Sequence, residues 1–389
     1  ILTNLYPPHG IGGYELRCQQ TVEAPAAGGH ELCVLTSDYA NASASAIEPP
    51  ERVEVHRILR IHGYYGRPWL PIQRLWLLER HNHAKLREAL AQFRPELVHV
   101  WNMGGISKSL LLRLEAGATP VVYDVSDHWI ARSLEADVWL AWWNRPAAGI
   151  HRWVRGLLQG LRIRSWLNQD TPTAAATFLR FRHIYFCSAF LRELTAAKGY
   201  PVAHGDVIHC AVDVPAFARK PSYQALHRLL WVGRLAPDKD PLTAIRALAS
   251  EAAVDVELHL FGKGEPEFEA SLRAEVARLG LAERVYFRHA SHPEMRGLYA
   301  QYDALLFTSN WGEPFALTPL EAMAAGLPVI MCPDGGDAEL ARDGENCLMF
   351  EAGNSGSLAD AIGRLRSLED AGAAMASRAR TEAEERFDL

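Results

Sequence analysis

Two acidic residues stand eight positions apart in the stretch FTSNWGEPFALTPLEAMAAGLPVI, which covers residues 307–330. Glu313 lies in a Gly-Glu-Pro turn after an apolar run, and Glu321 lies inside the Ala-rich segment that follows. A strand ending near Ser309 and a helix beginning near Ala316 would place Glu313 in the loop and Glu321 within the helix. Carboxylates placed in this way accept bidentate hydrogen bonds from neighbouring hydroxyls, which suits a polyhydroxylated ligand.

The start of that helix adds backbone donors to the two carboxylates. The first N–H groups of a helix have no acceptor within it, so they are free to bind anionic or hydroxyl oxygens. We expect this role for four consecutive amides, those of Phe315, Ala316, Leu317 and Thr318. The break before the helix lets Glu313 turn towards the ligand that Glu321 also reaches.

Two further stretches have the residue types of a phosphate site. In WVGRLAPDKDP a predicted strand ends at Gly233 and two cations follow, Arg234 and Lys239, which suits a diphosphate. In YPPHGIGGYELR a glycine loop with Gly12 and Gly13 opens a helix, whose free amides and dipole favour an anion. Each feature also has an ordinary explanation, an exposed basic loop or a tight turn, and the glycine spacing is not that of a nicotinamide fingerprint.

The elements that must position these residues alternate between short apolar strands and amphipathic helices throughout both halves of the chain. Such alternation predicts an α/β fold with parallel sheets and helices on both faces. Ligands of such sheets bind beyond the carboxyl ends of the strands. We therefore expect two Rossmann-like domains that face each other across a cleft, residues 1–210 and 211–370. The hinge is expected near residues 211–222, and residues 371–389 are expected to form a helix that packs back towards the first domain.

Composition narrows the class of protein. The 389 residues are 49% hydrophobic, a length and composition typical of two globular domains. Residues 1–210 carry 22 Lys and Arg against 18 Asp and Glu, and the remainder carries 18 against 28. The basic residues form no long run, so we expect no nucleic-acid partner. No apolar run is long enough to span a bilayer, and six scattered cysteines favour buried thiols in a cytoplasmic protein.

These motifs, taken together, resemble the retaining family 4 glycosyltransferases (glycosyl transferase group 1). The segments that carry the resemblance are GRLAPDKD, EPFALTPLE, GGDAELARDGENCLMF, YPPHGIGGYE, VIHCAVDV and YFCSAFLRELTAAKGY. The likeness covers roughly residues 1–125 and 183–368. It implies the GT-B fold, a nucleotide-sugar donor held mainly by the second domain, a hydroxyl acceptor, and transfer with retention at the anomeric carbon. It also implies that neither a metal nor another cofactor is required.

The resemblance assigns donor-binding roles at matching positions. Arg234 and Lys239 fall where the family holds the diphosphate. Glu313 falls where it contacts the hydroxyls of the donor sugar, and Glu321 falls where it binds the ribose.

Three further positions receive roles from the same resemblance. Gly12 and Gly13 fall on the loop that approaches phosphate and acceptor, and Ala290 lies at the strand end where the base is held. The end of another strand, in VVYDVSDHW, departs from the family, which often has a His-Asp pair there. In this chain Ser126 stands at the position of that His and Asp127 at the position of that Asp. We therefore expect that Asp127 or His128 takes over the catalytic role of the His, or that the acceptor pocket is built differently.

A Trp-rich segment, residues 129–182, lies outside the resemblance. Arg152, Arg155 and Arg162 fall on the side of a helix opposite Val154 and Leu157. A basic amphipathic helix of this kind suits an anionic membrane surface or an acceptor groove for an apolar or lipid-linked molecule, and it also suits an ordinary helical cap.

Sugar transfer of this kind would serve the synthesis of a polysaccharide or a glycolipid. Two other classes of function remain open beside it. A nucleotide-sugar epimerase or hydrolase would use the same donor pocket without an acceptor groove. A non-catalytic sugar- or lipid-binding protein would keep the fold, although the two carboxylates argue against it. The sequence HNH at residues 81–83 looks like a metal motif, but residues two apart point to different sides of a helix, so we expect it on the surface.

Overall fold

The chain folds into two compact units, Ile1–Ile208 and His209–Leu389. Each is built on a parallel sheet with helices between its strands. The computed structural model describes residues 1–9, 13–40, 53–132, 137–146 and 149–389.

The sheet of the first unit consists of parallel pairs. Its described strands are β1 Leu32–Ser37, β2 Val53–Leu59, β3 Val98–Val100, β4 Val121–Val125, β5 His183–Phe186 and β6 Asp206–Val207. β1 pairs with β2, and β3 to β6 pair in chain order. Leu2 bridges to Leu35 of β1 and to Val100 of β3, so the first predicted strand is a short link between the two groups.

Helices pack on this sheet through apolar residues that recur at helical spacing, as the longest helix, Ile72–Phe93, shows. The longest buries Leu75, Leu78 and Leu86 along one side and ends at Arg94 in the left-handed conformation. The described helices of the first unit are α1 Gly13–Ala27, α2 Ile72–Phe93, α3 Ser109–Glu115, α4 Val138–Asn144, α5 Gly149–Gly160, α6 Ile163–Asp170 and α7 Ala189–Ala197.

The second unit contains a six-stranded parallel sheet of order β12-β11-β10-β7-β8-β9. Its strands are β7 Arg228–Val232, β8 Glu257–Phe261, β9 Val285–Arg288, β10 Ala304–Phe307, β11 Val329–Met331 and β12 Leu348–Met349. Its helices are α8 Pro241–Ala247, α9 Pro266–Arg278, α10 His292–Leu298, α11 Leu317–Ala324, α12 Ser355–Arg366 and α13 Ala373–Arg386. The predicted strand–helix alternation and the parallel sheets are thus confirmed.

The core of the second unit lies between the central strands and the helices on either face. All four residues of β10 are buried, as expected for a strand covered on both sides. Leu229 and Trp231 of β7 pack in the same cluster as Leu258 of β8 and Ile362 of α12. The centre of the sheet is therefore closely packed, and the loops that carry the site begin at the ends of these packed strands.

The HNH triplet is not on the surface, so that expectation is wrong. Asn82 and His83 of α2 are fully buried. Asn82 pairs with both backbone groups of Arg60, at 2.8 and 2.9 Å, and His83 Nε2 lies 2.8 Å from Ser109 Oγ. The triplet thus serves internal hydrogen bonding, which spacing along one helix could not reveal.

The described part of the Trp-rich segment contains three helices, α4, α5 and α6. Asp137 anchors its start to the rest of the unit: it caps α4 by accepting from Leu140 N at 3.0 Å, and it accepts from Lys108 N at 2.6 Å. Trp139 and Trp143 of α4 are buried, with ring centroids 5.8 Å apart. The segment is therefore firmly attached at α4.

The last helix, α13, packs within the second unit. Glu382 is buried and pairs with Arg342, and it also accepts from Asn346 Nδ2 at 2.7 Å. After the helix, Phe387 O accepts from Val212 N at 2.9 Å. Among the described residues no helix combines the length and the apolar character that crossing a bilayer needs.

Candidate functional site

The loops after β7 and β10 meet at the carboxyl edge of the second sheet. These two strands are neighbours, with Ala304 paired to Leu229 and Leu305 to Leu230, although the paired residues stand 75 positions apart in the sequence. Chain order reverses between them. Where chain order reverses, the loops that follow the two neighbouring strands run to opposite sides of the sheet. The crevice between these loops is the usual ligand site of an open α/β sheet. The predicted donor residues of both stretches lie here.

Lys239 and Glu313 are brought together across this crevice. Lys239 ends the short 3-10 turn Pro237–Lys239 after β7, and its ammonium is ion-paired with Glu313 Oε1. Ser309 donates a hydrogen bond to the same carboxylate oxygen. Glu313 is buried, whereas Lys239 keeps about a fifth of its side chain exposed, 21%. One carboxylate oxygen is thus held by two donors, and the ammonium remains accessible from outside.

The backbone of Glu313 is fixed by the loop after β11. Glu313 N donates to Asp334 O at 2.9 Å, and Gly336 N donates to Glu313 O at 2.7 Å. Gly335 between them has a φ of +105°, a conformation open to glycine but strained for other residues. A Cβ on Gly335 would stand 2.5 Å from Glu313 O, so this close approach of two loops requires glycine.

The helix start between the two acids differs from the expectation in one respect. α11 begins at Leu317, and the N–H of Ala316 donates to Asp337 Oδ1 at 2.6 Å. The amide of Ala316 therefore already has an acceptor, and its role in binding ligand oxygens stays a prediction. Leu317 and Thr318 supply the first two amides of the helix, which have no acceptor within it.

Phe315 precedes this helix start and is buried. Its ring lies 5.1 Å from the imidazole of His209 and 5.8 Å from the ring of Phe387, measured between centroids. His209 Nε2 in turn lies 2.9 Å from Glu339 Oε2. The side chain of Phe315 therefore holds the loop by packing against His209 and Phe387. This leaves the backbone of Phe315, and not its ring, for contact with a ligand.

Asp337 is a residue that sequence reasoning missed. It is fully buried, and its second oxygen, Oδ2, has no hydrogen-bond partner. Burial raises the pKa of Asp337 well above its ordinary value, the bond from Ala316 opposes this, and the charge of Glu313 adds to the rise. The signal in the sequence was a carboxylate directly after the Gly-Gly of GGDAE, next to a loop already assigned to the site.

Glu321 lies inside α11, as its place in the sequence predicted, and it is buried. Tyr299, in the 3-10 turn after α10, donates its hydroxyl hydrogen to Glu321 Oε2 at 2.6 Å. Burial and the facing carboxylate raise the pKa of Tyr299 well above its ordinary value. The phenol therefore stays protonated and orients the carboxylate by hydrogen bonding, and no sequence pattern predicts this pairing.

Arg234 and Ala290 lie at the same edge of the sheet. Arg234 follows β7, keeps 55% of its side chain exposed, and donates to Asp238 Oδ2 at 2.9 Å. Ala290 follows β9, two strands away from β7, and precedes α10, which Ser291 and Glu294 start with a capping box. The roles of both residues stay predictions.

The predicted residues of the first unit lie after β4 and before α1. Asp127 accepts from Asn102 Nδ2 at 3.1 Å and from the N–H of His128 at 2.6 Å, and His128 is buried. Gly13 is the first residue of α1, which places it at a helix start as expected, and Gly12 lies outside the described residues.

Ser126, at the position where the resemblance places a His, belongs to an internal network. It donates to Asp124 Oδ1 at 2.7 Å, and Asp124 is also ion-paired with Arg17 of α1 at 2.9 Å. Asp124 is fully buried. The roles of Asp127 and His128 at this strand end stay predictions.

Within the described ranges, no group of three or more His, Cys, Asp or Glu residues is arranged to hold an ion. The acids at the crevice are instead bonded to Lys239, Ser309 and Tyr299.

Comparison with known proteins agrees with this architecture. Residues 12–211 match the Glycosyl transferase 4-like domain, and residues 217–382 match Glycosyl transferases group 1. The chain is 28% identical over 400 residues to the glycogen synthase of Mycobacterium tuberculosis, which covers 96% of this chain and 86% of that protein.

Two solved structures share its fold along the whole chain. Anabaena HepE in complex with UDP-glucose is 21% identical with a TM-score of 0.68, covering 100% of this chain and 94% of that one. Sucrose-phosphate synthase from Thermosynechococcus elongatus is 18% identical with a TM-score of 0.70, covering 100% and 95%. The expected GT-B class, α/β with parallel sheets in two domains, is confirmed.

Proposed function

Because the chain belongs to the glycosyltransferases of the group 1, family 4-like type, we propose that it transfers a sugar from a nucleoside diphosphate sugar to a hydroxyl acceptor with retention of anomeric configuration. The observation that supports the donor class best is the Lys239–Glu313 pair at the point where chain order reverses in the second sheet. A cation and a hydroxyl-binding carboxylate side by side match the two parts of such a donor, a diphosphate and a sugar.

The donor lies along the carboxyl edge of the second sheet in this proposal. Glu313 accepts from sugar hydroxyls through its outer oxygen while Lys239 and Ser309 hold the other. Glu321, oriented by Tyr299, accepts from the ribose hydroxyls. The base lies near Ala290. The amides of Phe315, Leu317 and Thr318 donate to phosphate or sugar oxygens, and that of Ala316 does so only if it leaves Asp337.

Electrostatic stabilisation supplies the chemistry. As the bond between the anomeric carbon and the diphosphate breaks, negative charge grows on the leaving group and positive charge on the sugar. Arg234 and Lys239 stabilise the diphosphate, and donors positioned in advance at developing charge contribute strongly to catalysis. Glu313 stabilises the sugar side. We propose that no metal and no cofactor takes part.

The first domain supplies the acceptor side of the proposal. Gly12 and Gly13 keep the role that the resemblance gives them, contact with phosphate and acceptor, and Asp127 or His128 receives or orients the acceptor proton. The acceptor is a sugar hydroxyl of a polysaccharide or of a lipid-linked molecule, and the protein acts in the cytoplasm.

A panel of nucleotide sugars tests this proposal. Each is incubated with the protein, with and without candidate acceptors, and the release of nucleoside diphosphate and of free sugar is followed. Nucleotide release that requires an acceptor supports transfer, and the anomeric configuration of the product, read by NMR, tests retention. Release of free sugar without an acceptor would identify a hydrolase, interconversion of donor sugars an epimerase, and binding without turnover a sugar-binding protein.

A further inference from the structure

Helix α5, Gly149–Gly160, presents its apolar side to solvent. Trp153 is 77% exposed and Leu157 is 64% exposed, and Leu161, directly after the helix, is 63% exposed. Val154 on the same side is also exposed. These positions repeat at intervals of three to four residues, so they form one stripe along the helix. We call the side chains of Trp153, Val154, Leu157 and Leu161 the outer stripe.

Two arginines of this region, Arg155 and Arg164, face the protein instead. The guanidinium of Arg155 stands 5.4 Å from the ring centroid of Trp142, and its Nη1 donates to Arg145 O at 2.5 Å. Arg164 of the neighbouring helix α6 lies 5.8 Å from the ring of Trp143 and donates to Asn144 Oδ1 at 2.9 Å. These contacts hold α5 and α6 on α4 in the orientation that leaves the outer stripe uncovered.

This orientation is the reverse of the usual one. A surface helix of a soluble protein turns its apolar stripe to the core and its charges to water, because burial of apolar area is favourable. Isolated exposed apolar residues need no explanation, but a stripe containing a Trp and two Leu on one helix indicates an interaction surface. We therefore expect the outer stripe to bind an apolar phase or an apolar partner, which would remove these side chains from water.

The charge around the stripe identifies the kind of partner. Residues 145–169 contain five arginines, at positions 145, 152, 155, 162 and 164, and no acidic residue, in a chain whose net charge is −6. Arg152 and Arg162 are exposed, and each directly adjoins a stripe residue in the sequence, Trp153 and Leu161. Exposed arginines next to an apolar stripe, with no acidic residue among them, are complementary to an anionic bilayer surface, where Trp rings sit at the headgroup level and arginines meet lipid phosphates.

We propose that the outer stripe of α5 docks this protein onto an anionic lipid bilayer, with the helix lying in the plane of the interface. A second copy of the chain fits less well, because the same arginines would face each other across a symmetric contact. The docking goes beyond the proposed sugar transfer and does not depend on it. It brings the first domain to a surface that carries lipid-linked hydroxyl acceptors.

Vesicle binding of the full-length chain tests the proposal. The protein is sedimented with vesicles of pure phosphatidylcholine and with vesicles of equal parts phosphatidylcholine and phosphatidylglycerol. We expect binding to the anionic vesicles that weakens as salt is added, since salt screens the charge contribution. The triple variant Trp153→Ser, Leu157→Ser, Leu161→Ser is expected to lose at least tenfold in partition coefficient, and Arg152→Glu is expected to weaken binding as well.

Matched controls separate docking from general effects. Val254→Ser removes an apolar side chain of similar exposure, 56%, in the second domain, and Lys198→Glu reverses an exposed charge elsewhere in the first domain. Both are expected to bind vesicles like the unaltered chain, and thermal unfolding checks that all variants are folded. Equal vesicle binding by the triple variant and the unaltered chain would overturn the proposal. So would failure of the unaltered chain to bind anionic vesicles, or a dimer in sedimentation velocity that the triple variant abolishes.

Discussion

The crevice of the second domain buries acids, whereas α5 of the first domain exposes apolar side chains. Glu313, Glu321 and Asp337 lie inside among strand ends and helix starts, and Trp153 and Leu157 lie outside on the surface. Each arrangement is the opposite of what folding alone favours, since charges belong in water and apolar groups in the core.

The two regions are held in these unfavourable arrangements by different means. In the crevice every one of the three acids has a specific donor: Lys239 and Ser309 for Glu313, Tyr299 for Glu321, and the Ala316 amide for Asp337. On α5 the opposite face is fixed by arginines that lie on Trp rings. Departures from the usual pattern that are supported in this way are expected at functional sites.

The largest effect is expected from Lys239→Met. It removes the cation proposed to stabilise the leaving diphosphate while keeping the length of the side chain. We expect kcat/KM for the productive nucleotide sugar to fall by about 10²–10³, the usual cost of removing one such donor. Steady-state kinetics measure the loss.

Arg273→Met is the matched control for this substitution. Arg273 is paired with Glu269 at 2.7 Å on the exposed side of α9. Surface pairs of this kind contribute about 1 kcal/mol or less, so activity should not change. Equal activity of Lys239→Met and Arg273→Met would contradict the role of Lys239.

The next effect concerns the loop contact behind Glu313. Gly335→Ala places a Cβ 2.5 Å from Glu313 O and 2.7 Å from Glu313 N. Strain and overpacking together should cost about 2–6 kcal/mol and displace the carboxylate, so that activity falls with stability. Gly344→Ala also has a positive φ, +73°, but its Cβ meets nothing within 4 Å, so it should cost only about 1–2 kcal/mol. Similar Tm values for the two variants would show that the loop contact is not tight.

A smaller effect is expected at Asp337, where two substitutions separate hydrogen bonding from ionisation. Asp337→Ala leaves the half-buried Ala316 amide without its acceptor and should cost about 1–3 kcal/mol. Asp337→Asn keeps an acceptor oxygen and should cost much less at acidic pH. Thermal unfolding of both variants measures the difference.

The pH dependence of Asp337→Asn gives a second readout. Because burial raises the pKa of Asp337 in the folded protein, the folded state binds this proton more tightly than the unfolded chain does. The carboxyl therefore lowers stability progressively as pH rises above its unfolded pKa of about 3.9. The Tm of Asp337→Asn relative to the unaltered protein should rise between about pH 4 and neutral pH. A constant difference across that range would show that Asp337 ionises normally.

The smallest effect is expected on the stability of α5. Leu157→Ala trims a residue that is already exposed, so the free energy of unfolding should change by less than about 0.5 kcal/mol. Leu320→Ala in α11 removes a fully buried leucine and should cost about 2–5 kcal/mol. Denaturant unfolding measures both. A comparable loss for Leu157→Ala would mean that the outer stripe is covered by the protein itself.

Much of the fold followed from the sequence because buried parallel strands and amphipathic helices have distinct periodicities. The strands that end before Arg234 and before Glu313 were both identified in this way. Their adjacency was not, since periodicity does not give strand order. The contact of Lys239 with Glu313, 74 residues apart, was therefore visible only in the folded chain.

The site residues that were not predicted from the sequence were missed for one common physical reason. Asp337 and Tyr299 act through buried hydrogen bonds to partners distant in sequence, and residue type alone gives no direction to a side chain. The same limit applies to α5: the pattern of Trp153 and Leu157 against Arg155 predicts two faces, but not which of them meets solvent. Asn82 and His83 were misplaced for this reason too.

Calorimetric titration with nucleoside diphosphates tests the central proposal, a donor site at the carboxyl edge of the second sheet, most directly. Titrated in turn with UDP, GDP and ADP, the protein should bind at least one. Arg234→Ala and Glu321→Ala should each weaken that binding by about tenfold or more, since hydrogen bonds to charged groups contribute about 1.5–3 kcal/mol. Arg273→Ala, on the surface of the same domain, should leave it unchanged. Unaltered affinity in both Arg234→Ala and Glu321→Ala would place the donor elsewhere and contradict the account.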